Sequence, residues 1–104
     1  MAWFYLLFAG ILEIVWAFAM KQSDGFTRAV PTAVTLAALA GSLALLALAM
    51  KSLPLGTAYA VWTGIGALGA FTVGILVLGE PLHALRASAA VMILGGLVLM
   101  KVSH

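Results

Sequence analysis

Glu13 is the residue in this chain that most clearly has chemistry to do. It is the only acidic or basic side chain away from the ends of four long apolar stretches, and it lies near the middle of the first. A carboxylate at membrane depth costs about 3 kcal/mol or more unless it faces a cavity, a bundle interior or a partner, so such groups mark paths for ions or substrates. The bland alternative is a protonated glutamic acid that hydrogen-bonds two helices together. At 100° per residue, Ala9, Gly10, Glu13, Trp16 and Ala17 share one helical face. Tyr59, Trp62, Thr63, Gly66 and Gly69 form a comparable face in the third stretch, and Thr35 and Ser42 share one in the second. If the faces converge, they enclose one carboxylate per chain, several O–H and N–H donors, and aromatic rings. Such a cavity suits a small organic cation, which pairs with carboxylate and stacks on rings.

The elements that must position these groups are membrane helices. Hydrophobic residues make up 65% of 104 positions and charged residues 8%, against about 25% charged in soluble domains. The apolar spans run approximately 2–20, 29–50, 53–79 and 85–101, each near the roughly 20 residues that cross a hydrocarbon core. A transmembrane barrel would need short alternating segments instead. Pro31, Pro54 and Pro81 all fall at span edges, where a missing N–H does least harm. The expectation is an all-α membrane protein of one four-helix domain, 1–104, with loops so short that consecutive helices are antiparallel neighbours. A cleavable leader fits the first span poorly, because it lacks a basic n-region and contains Glu13.

Several residues carry two readings. Trp3 and Tyr5, at a span end, fit an interfacial belt. Trp16 fits either the belt or the site, and Tyr59 with Trp62 fits either a ligand wall or interhelical packing. Thr35 fits a back-bond to its own helix. Gly64-Ile65-Gly66-Ala67-Leu68-Gly69 has the GxGxxG pattern, but it lies inside an apolar helix with no preceding strand, so it is no dinucleotide fingerprint. Together with Gly10, these glycines allow close packing or bending, and Gly64, Gly66 and Gly69 could form a hinge. Gly95 and Gly96 fit a dimer seam or ordinary packing within the chain.

Catalysis and metal binding find no support. There is no cysteine, His83 and His104 are isolated, and no nucleophile, base and orienting group are suitably spaced. The reading is therefore not an enzyme, with no cofactor and no metal. Five dispersed cations form no nucleic-acid patch and most simply anchor span ends. Lys51 and Lys101 fall on one side of the membrane, and Lys21, Arg28 and Arg86 on the other. A chain so nearly balanced is expected to insert both ways round, which makes an antiparallel homodimer possible.

The lone Glu13 in the first of four helices, together with Gly56-Thr57-Ala58-Tyr59-Ala60-Val61-Trp62-Thr63-Gly64-Ile65-Gly66 in the third, closely resembles the small multidrug resistance transporters. The likeness extends over essentially the whole chain. Trp16 and the run Gly66-Ala67-Leu68-Gly69-Ala70 resemble the guanidinium-exporting subtype within it. The resemblance implies a multi-pass protein of the bacterial inner membrane and a dual-topology antiparallel homodimer that exports guanidinium in exchange for protons. Glu13 would be the shared proton and substrate site, with Trp16, Ser42, Tyr59 and Trp62 as binding neighbours. Broad export of quaternary ammonium drugs is the nearest alternative. A proteolipid ring subunit and a membrane assembly subunit with a structural glutamate are the readings from other classes.

Overall fold

The computed structural model describes residues 1–103, so His104 lies outside the described residues. Four helices account for nearly all of it: α1 (Ala2–Gln22), α2 (Ala29–Ala49), α3 (Leu55–Leu76) and α4 (Ala84–Ser103). Each is long and apolar enough to cross a membrane, and there is no strand among the described residues. Pro31 lies in the first turn of α2 and Pro54 immediately precedes α3. The third helix begins and ends inside its apolar run of 53–79, because Pro54 starts it late and the chain turns away after Val77.

Each turn is held by its own polar groups. Ser23 ends α1 by donating its hydroxyl to the Met20 carbonyl at 2.6 Å and accepting the Phe26 N–H at 3.0 Å. Asp24, Gly25 and Phe26 then follow one another in left-handed backbone, with φ of 51°, 71° and 67°. That conformation suits glycine and tolerates aspartate, whereas phenylalanine is held in it by the surrounding bonds. The Thr27 and Arg28 N–H groups both return to the Ser23 carbonyl, at 2.9 and 3.1 Å. After α3, Gly79 takes φ of 70° and lets the Glu80 N–H reach back to the Gly74 carbonyl at 3.0 Å.

Packing centres on α1, which contacts α2 most extensively and α3 next. The expectation that consecutive helices are packing neighbours is corrected at α2 and α3, which touch only slightly. A short loop fixes the ends of two helices but not their bodies, and here both pack mainly on α1. The apolar core joins Ala2, Leu6 and Ala9 of α1 to Leu46 and Ala49 of α2 and to Ala58, Val61 and Trp62 of α3. The fourth helix has no buried residue and packs mainly on α3. The resulting body is flattened, measuring 41 × 35 × 16 Å.

Candidate functional site

Small residues let α1 and α3 approach closely around Glu13. A Cβ on Gly66 would collide with the Glu13 carboxylate, so the acid lies directly against the α3 backbone. Two further interlocks flank it. Ile65 of α3 occupies the space beside Gly10, and Ile14 of α1 occupies the space beside Gly69. The glycines singled out as packing or hinge positions thus seat particular side chains of the opposite helix. Gly64 faces the other way and receives Leu97 of α4.

Two polar atoms on this face of α1 are buried without a hydrogen-bond partner: Glu13 Oε1 and Trp16 Nε1. One is an acceptor and the other a donor, one helical turn apart. Nearly all buried polar groups in proteins are satisfied, so each orphan requires an explanation.

Beside them runs a completed chain of hydrogen bonds. Trp62 Nε1 donates to Ser42 Oγ at 2.9 Å, and the Ser42 hydroxyl donates to the Ala9 carbonyl at 2.7 Å. Ser42 is fully buried and Trp62 nearly so. This chain ties all three core helices together one turn before Glu13. Tyr59 adds a ring 5.4 Å from that of Trp62, inclined at 54°, and remains 53% exposed. Its exposure leaves the ring open to something outside the chain.

The remaining candidates divide. Thr35 is buried but donates to Pro31 of its own helix at 2.8 Å, so it takes the back-bonded role. Thr63, grouped by periodicity with Trp62, is exposed. Trp3 lies at the start of α1 with Lys101 Nζ 4.8 Å from its ring centroid. Gly95 and Gly96 have open space where a Cβ would stand, so within the chain they pack against nothing. Among the described residues, no group of three or more His, Cys, Asp or Glu side chains could hold a metal.

Sequence reasoning named Ser42 and Trp62 without connecting them, and it missed Ala9 as the acceptor. A small residue four positions before the carboxylate was the available signal. It also missed a cavity of about 350 Å³ between α1 and α3, lined by Ile14, Ala17, Phe18 and Lys21 and by Phe71, Gly74 and Glu80 among others.

Comparison with known proteins agrees along the whole length. The family described as Small Multidrug Resistance protein matches residues 1–102. The chain is similar to the guanidinium exporter of Escherichia coli O6:H1, with 52% identity over 103 residues, 99% of this chain and 98% of that protein. A guanidinium exporter of Yersinia pseudotuberculosis is also 52% identical, with 99% of both chains covered. One from Citrobacter freundii is 50% identical over 99% of this chain and 98% of its own.

Proposed function

The chain belongs to the small multidrug resistance family, and we propose that it exports guanidinium and small substituted guanidinium cations in exchange for protons. The coarser statement is secure: this is a multi-pass protein of the bacterial inner membrane and an exporter of small cations. The guanidinium reading comes from the relatives named for that activity and is carried in this chain by one observation. Glu13 Oε1 is a buried acceptor without a partner, and the Trp16 indole lies one turn along the same helix face. A planar cation with parallel N–H donors can satisfy the carboxylate bidentately and rest its face on an indole.

Exchange follows from competition at that carboxylate. Glu13 holds either a proton or a guanidinium ion, because each neutralises the same charge in a site of low polarity. If the loaded protein changes orientation readily and the empty, ionised protein does not, a proton gradient drives cation export. Trp62, Ser42 and the Ala9 carbonyl hold the neighbouring wall in one geometry, so the cation meets a fixed aromatic surface. Tyr59 stands at the edge of that wall.

A second copy in the opposite orientation would close the site. The body is flat, Tyr59 is exposed, and Gly95 and Gly96 of α4 are open to a neighbour. Two copies facing each other would provide the two related halves that larger transporters carry in one chain.

The test is transport by purified protein in liposomes under a pH gradient, with guanidinium competing against a bulky quaternary ammonium ion. Guanidinium should win, since the quaternary ion has no N–H for Glu13. Equal or inverted preference would move the chain to general drug export.

A further inference from the structure

A second carboxylate is seated on a glycine of α3, at the mouth of the α1/α3 cavity. The Glu80 side chain fills the space that a Cβ on Gly74 would occupy, while its own N–H bonds the Gly74 carbonyl. Arg86 completes the cluster. Its guanidinium carbon lies 5.1 Å from the Phe71 ring centroid, Nη2 is 3.7 Å from Glu80 Oε1, and Nη1 donates to the Pro81 carbonyl. Phe71, Gly74 and Glu80 all line the cavity, which reaches Ile14, the residue after Glu13. The chain's own guanidinium group is thus bound here by a carboxylate, a carbonyl and an aromatic face. Those are the contacts by which a free guanidinium ion is recognised.

We propose that Glu80, Phe71 and the Pro81 carbonyl form a second guanidinium-binding site, which Arg86 of the same chain fills until free guanidinium displaces it. The choice of cargo rests on the guanidinium-export reading; the geometry of the cluster does not. Displacement, rather than addition, follows from charge. Lys21 also lines the cavity, so a second cation already stands near the carboxylate that Arg86 pairs. Competition is feasible because half-exposed ion pairs contribute little. A partner tethered through a short loop presents an effective concentration on the order of millimolar, which free guanidinium can match. Displacing Arg86 would also remove its contacts with Glu80, Phe71 and the Pro81 carbonyl at the start of α4.

The experiment is equilibrium dialysis of radiolabelled guanidinium against the purified full chain carrying Glu13→Gln, which silences the membrane-depth site. Adding Arg86→Ala should tighten the residual millimolar binding by about threefold, the scale expected for removing an exposed competing pair. Adding Glu80→Gln to that double variant should remove the gain. If Arg86→Ala destabilises the protein, Arg86→Gln keeps much of the side chain without the charge and should act in the same direction. Equal binding with and without Arg86, or a gain that survives Glu80→Gln, overturns the proposal. Failure of the unmodified chain to bind guanidinium through Glu13 would instead count against the export reading, and the Glu13→Gln series would still report on this site.

Discussion

Glu13 and Glu80 are both carboxylates pressed against glycines of α3, at Gly66 and Gly74, and their surroundings make them opposites. Glu80 is exposed at the helix end and faces Arg86. Glu13 lies mid-span, with an oxygen that has no partner. A notch on a helix therefore seats an acid without deciding what the acid does. Depth and the presence of a tethered cation decide it: one carboxylate is already neutralised by the chain, and the other must be neutralised by something that comes and goes.

The widest separation between the two should appear on removing charge. Glu13→Gln is expected to abolish coupled guanidinium transport while leaving a folded protein, whereas Glu80→Gln should change the transport rate by no more than about threefold. Normal proton-coupled flux through the Glu13 variant would end the proposed mechanism. The same contrast should hold for protons, because H⁺ and cation compete for one group. Guanidinium affinity at the Glu13 site should fall as pH is lowered, and binding titrations at several pH values would show it.

Filling the notches should separate the sites less widely. Gly66→Ala forces the carboxylate off α3 and should lower guanidinium affinity by about tenfold, the effect of losing one desolvated charge-assisted hydrogen bond. Gly74→Ala need only move a solvent-exposed side chain, and its affinity should stay within about twofold of normal. Similar losses from both would mean that seating, rather than depth, controls the site.

Trp16→Gly should weaken the preference for guanidinium over a bulky quaternary ammonium ion by about tenfold or somewhat less, as a stacking surface is removed and the pocket enlarged. Competition at a fixed pH gradient measures it.

The smallest effects come from the hydroxyls of α2. Ser42→Ala leaves the buried Trp62 N–H without its acceptor and should cost about 1–3 kcal/mol of stability. Thr35→Ala removes only a back-bond and should cost well under about 1 kcal/mol. Unfolding in mixed micelles followed by tryptophan fluorescence would compare them.

The sequence made Glu13 legible because an ionisable group inside an apolar span carries so large a cost that its presence signals a use. The helices were legible for a related reason, since continuous apolar length leaves few other structures. Periodicity gave helix faces, but it could not say which faces meet. Thr35 and Ser42 share a face and are both buried, yet one bonds its own helix and the other crosses to α1. Loop length was equally silent about bodies, which is why α2 and α3 were expected to pack. The Phe71, Glu80 and Arg86 cluster lay beyond reach because it depends on how Gly79 turns the chain after α3.

A body only 16 Å thick has further consequences for inheritance. A transporter built from two copies, as proposed, would draw half of its lining from each gene product. Cells expressing a Glu13→Gln chain beside the normal one should then lose guanidinium tolerance beyond the defective chain's share of expression, because mixed pairs are spoiled along with defective ones. A chain that worked singly would show simple dilution.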